Sequence, residues 1–561
     1  MDGAARSCAP RRRARFPPVA GGGAACSCRA SDQGIDHRRR PDRRARPEQR
    51  CMSTAADTPP QVPQPQMPPP QMSVRTAAAW ALVSQYTSFA IQFLTSVVLA
   101  RWFITPAELG LFSIAFAAVT IVAFLQDFGV TRYVNGERDL TPEKLQMAFT
   151  VSVAFAWGIA ILTILSAKPI ALFYGDPRLL PITLVIACSY LAVPLAIVPQ
   201  ATCQRRMDYK SNTMIEVGSS IANAATAVTL AVLGYGALAL AWGAFAQQAA
   251  RLVVSQWRAG LMLPWPMRLK GAAPVLKLGG TNSVLATCYS ITGRAPELVI
   301  GRLIDNTAVG LFTRASGLAL QLRLLVAGAV TGVFYPAFRQ VRDSGQPLGP
   351  PYLRVVAAYT GVTWPAMAGI AVLSEPLVNL LYGPKWLAAA PLLGWVALSQ
   401  LCYVSLPLNG DLPLLLDRMK GLIHRNIVET VMSVLLIALT APFGLIWVAI
   451  SRFAHGLFWV MIYAPFMRGM LDFRWRDLFQ IYARSLLATL AAVGPLLASY
   501  IFWHGPAETG FGQAASMVSA GIALWLATLW AIGHPLFAEV TAMLGEILAA
   551  LPLRRKTPLP R

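Results

Sequence analysis

Four arginines, Arg294, Arg314, Arg323 and Arg452, fall inside long apolar runs of this 561-residue chain. An ionised side chain is costly there and by default faces a bundle interior or a water-filled cavity. A guanidinium stays protonated, and its planar fork pairs two phosphate oxygens at once, so the chemistry on offer is capture of an oxyanion. The competing reading of each is an ion pair that is purely structural, or a side chain snorkelling to the headgroups. Arg323 is the deepest in its run, and Arg314 lies nine residues earlier, about 900° around a helix, so the two point to opposite faces.

Arg294 and Glu297 are three apart and would meet on a regular helix, but Pro296 is expected to kink the helix and redirect the carboxylate. Arg452 and His455 share a face, and a histidine titrates near neutral pH. Glu297, Asp127 and His455 are the groups that suit binding of a coupling proton or Na⁺. Glu216 and Glu429 are read, like Asp127, as solvated residues near helix ends, with helix-dipole roles for the two glutamates. No Gly-Lys-Ser/Thr phosphate loop occurs, and Cys26-Ser27-Cys28 has no second pair at zinc-ligand spacing, so neither ATP drive, a metal nor any other cofactor is indicated.

The elements that must hold these groups are transmembrane helices. The chain is 55% hydrophobic and 13% charged, whereas an average soluble domain is about a quarter charged. Apolar runs of about twenty residues, each long enough to cross a hydrocarbon core, recur almost to the end. They predict an all-α polytopic membrane protein of about 14 spans (12–14), at 77–99, 109–130, 145–166, 180–199, 214–233, 236–256, 274–300, 307–334, 353–373, 390–410, 427–441, 443–467, 482–503 and 511–532. Thr105 with Glu108, and Thr141 before Pro142, are helix-capping signals.

Residues 1–75 are rich in Arg, Pro, Gly and Gln and are expected to be disordered. Residues 1–51 hold thirteen Arg and no Lys, which suggests a mis-assigned start, with Met52 or Met72 as initiator. The net charge of +22 does not call for a nucleic-acid partner, because beyond that tail the basic residues sit in short connections. Alternate connections hold 21 and 5 Lys plus Arg, which places the richer set and both termini, including a tail over 533–561, in the cytoplasm.

Two segments repeat. Leu99-Ala100-Arg101 through Leu109-Gly110-Leu111-Phe112 returns as Ile300-Gly301-Arg302 through Val309-Gly310-Leu311-Phe312. Pro169 to Gly175 is echoed by Pro376 to Gly383 at a similar offset. A six-helix repeat inserts both copies with one orientation, so two lobes, 76–260 and 272–470, should be related by a pseudo-two-fold axis along the membrane normal, with two extra helices over 481–532. A cleft between like-oriented lobes is the geometry of alternating access.

Together with Asp127-Phe128-Gly129, Gln204-Arg205-Arg206, Leu233-Gly234-Tyr235-Gly236, Phe334-Tyr335-Pro336 and Tyr382-Gly383-Pro384-Lys385-Trp386, these motifs resemble the lipopolysaccharide and exopolysaccharide exporters, the Wzx-like polysaccharide flippases. That family lies within the multidrug, oligosaccharidyl-lipid and polysaccharide transporter superfamily. The resemblance covers about 77–400, and the later helices match in character alone. It implies a non-enzymatic transporter that moves polyprenyl-diphosphate-linked oligosaccharide across the cell inner membrane, amid membrane lipids and alongside a glycan polymerase and chain-length machinery. Relatives usually carry an acid and an amide where this chain has Ala295-Pro296-Glu297, so their site does not transfer there. The alternatives are a multidrug or cation antiporter, which wants an acid-lined cavity, and a membrane glycan polymerase or ligase, which wants a sizeable outward catalytic region.

Overall fold

The computed structural model describes residues 74–123, 129–137, 139–260, 266–267, 272–502 and 510–537. The tail expected at 1–75 (but for its last two residues), Asp127 and residues 538–561 lie outside them. All regular structure among the described residues is helical. The segment expected as the first lobe contains α1 (Val74–Val98), α2 (Pro106–Ala123), α3 (Val130–Gly136), α4 (Pro142–Tyr174), α5 (Leu179–Ser189), α6 (Val193–Arg205), α7 (Tyr209–Val232) and α8 (Ala237–Ala259). The second contains α9 (Ala273–Leu303), α10 (Asn306–Asp343), α11 (Gly349–Val372), α12 (Ser374–Tyr382), α13 (Ala390–Tyr403), α14 (Asp411–Leu415), α15 (Met419–Thr440) and α16 (Leu445–Leu471), and α17 (Trp475–Phe502) and α18 (Phe511–Ala531) follow.

Local chemistry sets the ends. The Thr105 backbone N–H donates to Glu108 Oε2 at 2.8 Å while the Glu108 N–H donates back to Thr105 Oγ1 at 3.3 Å, a reciprocal capping box at the start of α2. At α4 the Thr141 hydroxyl accepts from the Lys144 N–H at 3.3 Å, Pro142 occupies the first turn, and Gly175 ends the helix in the left-handed region at φ 72°.

The structure corrects three expectations. The run at 180–199 is not one straight helix: α5 and α6 meet at a 40° bend. α9 continues through Pro296 instead of losing Glu297 to a kink. α15 begins at Met419, eight residues before the apolar run, because its first two turns carry Lys420, His424 and Arg425.

Among the described residues, eleven helices and the bent α5–α6 pair are long and apolar enough to cross a bilayer. α9 and α10, at 31 and 38 residues, are not in that set; they carry four and five charged side chains respectively. Large apolar side chains face outward, with Phe443 75% and Leu172 73% exposed, which is sustainable in lipid and not in water. This is a multi-pass membrane protein.

One apolar core runs through both lobes, joining Leu99, Ile104, Leu111 and Ile114 to Val309, Phe312, Leu318 and Trp386. α2 lies against both α9 and α10, so the two repeated segments form the seam between the lobes. α17 and α18 pack on the second lobe through α11.

Candidate substrate cleft

The seam is tightest where the repeats cross. A Cβ on Gly110 would stand 1.7 Å from the Asn306 carbonyl oxygen, and one on Gly310 would stand 1.8 Å from that of Pro106. Further contacts tie the same end. Tyr174 donates its hydroxyl to the Leu298 carbonyl at 3.1 Å, and the Trp386 indole N–H donates to the Ala100 carbonyl at 2.9 Å. Arg101 donates to the Leu380 carbonyl, while Arg302 lies 5.1 Å from the centre of the Phe173 ring. Asn306 donates to Asp176 at 3.2 Å, and the Arg178 guanidinium, 2.8 Å away, holds that carboxyl below its ordinary range.

Away from this crossing, the second lobe gathers most of the expected residues into one polar cluster. Arg294 Nη1 stands 3.6 Å from Glu297 Oε1, and its guanidinium lies 5.1 Å from the Phe116 ring centre across the seam. Glu297 is buried, and its Oε2 has no hydrogen-bond partner among the described residues. Arg452 donates to Ser433 at 2.8 Å and sits 6.0 Å from the ring centre of Tyr403. His455 Nε2 is 3.2 Å from the Glu429 carbonyl oxygen, which can only accept, so this nitrogen carries the proton. Nδ1 therefore accepts from the Tyr403 hydroxyl at 2.5 Å. Arg323 makes no hydrogen bond or ion pair with a described residue and has the Tyr359 and Tyr403 hydroxyls in electrostatic range.

The helix-end reading is corrected for Glu429. Glu429 is 6% exposed, ten residues into α15, and accepts from the Tyr463 hydroxyl at 3.0 Å. Glu216 lies inside α7, 2.9 Å from Arg251 and 2.8 Å from Gln200. Burial calls for such a partner at Glu429, whereas Glu216, about a third exposed, lies past the first turn of α7 where the dipole acts.

Arg314 stands apart, as its opposite helical face requires. Its Nη1 donates to Ser96 of α1, and its guanidinium sits 4.9 Å from the Tyr382 ring centre and 5.2 Å from that of Trp386. It lines a cavity of about 300 Å³ bounded by α1, α2, α7, α8, α10 and Tyr382. The sequence reading missed the cavity's amides, Gln92 and Gln247 among them, and also Tyr403 and Tyr463. The available signal was an amide or hydroxyl within an apolar run, which is expensive in lipid unless something pairs it. Among the described residues no group of three or more His, Cys, Asp or Glu is placed to hold a metal ion.

The described helices thus form a membrane bundle with the Arg294 and Arg314 guanidinium groups placed where α9 and α10 meet the first half of the chain. The chain belongs to the family described as "Polysaccharide biosynthesis protein", which matches residues 98–391. It is 26% identical over 335 residues to the succinoglycan biosynthesis transport protein ExoT of Rhizobium meliloti, covering 58% of this chain and 66% of that protein. It is 21% identical over 337 residues to the lipopolysaccharide biosynthesis protein WzxC of Escherichia coli, covering 59% and 66%. The match thus spans just under two thirds of the length of these relatives. Among solved structures, the lipid II flippase MurJ in an inward closed conformation superimposes with a TM-score of 0.63 at 13% identity, over 81% of this chain and 98% of that one, a likeness of fold.

Proposed function

We propose that this protein carries a polyprenyl-diphosphate-linked, anionic oligosaccharide from the cytoplasmic to the periplasmic leaflet of the cell inner membrane by alternating access. One observation carries the reading: Arg294 and Arg314 belong to the second lobe, yet each guanidinium touches the first, at Phe116 and at Ser96. Cations on a seam that must open and close are placed to bind and release an anion as the lobes rock. Burying a sugar hydroxyl unpaired in hydrocarbon costs several kcal/mol, and a bare diphosphate costs far more. The prenyl tail stays in lipid between helices while the headgroup crosses.

In this reading the six-helix lobes are related by a two-fold axis along the membrane normal, α9 and α10 complete a set of fourteen spans, and both termini are cytoplasmic. The reciprocal approach of Gly110 and Gly310 and the clustering of Lys and Arg in alternate connections support it. Outward movement of one negative charge through a cell-negative potential releases about 2.3 kcal/mol per 100 mV, so a diphosphate gains roughly twice that. Of Glu297, Asp127 and His455, Glu297 is the group assigned to any coupled proton. Its Oε2 has no hydrogen-bond partner among the described residues, whereas both ring nitrogens of His455 are committed.

The test is translocation of a fluorescent polyprenyl-diphosphate oligosaccharide in proteoliposomes. The expected result is a rate well above empty liposomes that falls at least about tenfold in Arg294→Gln and Arg323→Gln. A rate equal to that of empty liposomes would overturn the proposal, and unchanged rates in both variants would remove these two residues from it.

A further inference from the structure

The cavity beside Arg314 has a chemistry of its own. Four carboxamides, Gln92, Asn223, Gln247 and Gln321, line it from α1, α7, α8 and α10. An amide side chain offers both donors and an acceptor, as does a sugar hydroxyl, so amides from several directions match a polyhydroxylated ring better than an apolar drug or a prenyl chain. At about 300 Å³ the space is small for a binding site, on the scale of a sugar unit.

Two of the residues that line it, Thr313 and Arg314, each carry a buried atom, Oγ1 and Nε, with no hydrogen-bond partner among the described residues. Buried polar atoms are nearly always paired, so two orphans on residues that line one cavity point to a missing ligand. A hydroxyl and a guanidinium N–H together donate to an oxyanion. The Tyr382 and Trp386 rings and the Ser96 hydroxyl fix the guanidinium in place beforehand.

We propose that this cavity is a saccharide subsite, in which the carboxamides bind ring hydroxyls while Thr313 and Arg314 bind an oxyanion of the same headgroup. It rests on the flippase reading and refines it: the recognised glycan unit is acidic, or its first sugar sits next to the diphosphate. These sources share one chemistry, and the ligands of the test separate them.

Binding to the full chain in lipid nanodiscs is measured by calorimetry with three probes: a glucuronic-acid-containing trisaccharide, a neutral trisaccharide of matched linkage, and a short-chain isoprenyl diphosphate. Gln247→Ala with Gln321→Ala should weaken both trisaccharides at least about tenfold. Arg314→Gln should weaken an anionic probe by at least about tenfold and the neutral one less than about twofold. Thr313→Val removes the orphan hydroxyl at similar volume and should weaken the same anionic probe, which guards against misfolding of the arginine variant. If the acidic trisaccharide shows this dependence, the oxyanion is on the sugar; if the isoprenyl diphosphate shows it, the oxyanion is the linkage. Absence of Arg314-dependent binding for both anionic probes overturns the subsite. Translocation in proteoliposomes persisting in that case leaves the flippase reading standing, and its loss in the unaltered protein removes both.

Discussion

Gly110 and Gly310 make reciprocal contacts, each pressed against the carbonyl that opens the other's helix, Asn306 at the start of α10 and Pro106 at the start of α2. The two glycines are 200 residues apart in the sequence, and so are the two carbonyl residues they meet. No side chain fits at either position, so the contact brings backbone to backbone.

Alanine at either glycine should force α2 and α10 apart and destabilise the protein by about 1–3 kcal/mol, the usual cost of overpacking. Separation caused by one methyl makes room for the other, so the double variant should cost less than the two singles added. Thermal unfolding of the three variants in detergent checks this. Strict additivity would mean that the two contacts do not belong to one crossing.

Tyr174 and Trp386 should hold this end of the seam shut. Phenylalanine at either position removes one hydrogen bond to a carbonyl of the opposite lobe, worth about 0.5–1.5 kcal/mol. The ratio of closed to open protein should then fall by roughly two- to tenfold per variant. The measurement is labelling of a cysteine placed at Ala115, which is fully buried on α2, by a membrane-impermeant maleimide. The variants should label faster from the outside, and equal rates would show that the bonds do not govern opening.

What the sequence disclosed follows from physics that acts over short distances. The Thr105–Glu108 capping box and the cap at Thr141 are confined to one helical turn and were readable directly. The repeat was readable because the glycines at its closest crossing admit no other residue. Glu429 was misplaced because a hydropathy window detects only the apolar part of a helix, and the polar start of α15 shifted its end by eight residues. The partners of Arg314, Tyr382 and Trp386, come from a segment about seventy residues further on, and no local pattern encodes that approach.

Arg294 and Glu297 should fail asymmetrically. Arg294→Gln leaves the buried carboxylate without its cation, a change that costs about 3–5 kcal/mol when a buried partner is lost. Glu297→Gln leaves Arg294 about one-third exposed and facing Phe116, a much milder loss. The double variant should recover most of the stability of Arg294→Gln. If Glu297 carries a coupled proton, Glu297→Gln should also make translocation insensitive to an imposed pH gradient while the response to membrane potential persists. Thermal unfolding and proteoliposome flux separate the two effects.

The packing of α11, α17 and the residues after α18 should weaken in acid through His534. This side chain is 2% exposed; its Nδ1 accepts from the Leu536 N–H at 3.2 Å, and its Nε2 lies 3.2 Å from Ser485 Oγ, which is 2.9 Å from Thr360 Oγ1. With Nδ1 accepting, Nε2 must donate, and the ring fits this chain of bonds only when neutral. Burial, with a smaller contribution from nearby Arg484, pushes its pKa down from 6.5 to about 4. Because the folded value is the lower one, the unfolded chain takes up a proton first as pH falls. The stabilisation is complete above about pH 6.5, declines between about 6.5 and about 4, and does not fall further below that. His534→Gln keeps a donor and an acceptor but does not titrate, so the difference in melting temperature between it and the unaltered protein should change across this window and be flat on either side. A difference that stays constant from pH 7 to pH 4 would mean that the imidazole is protonated in the folded protein, with Leu536 and Ser485 bonded in some other way.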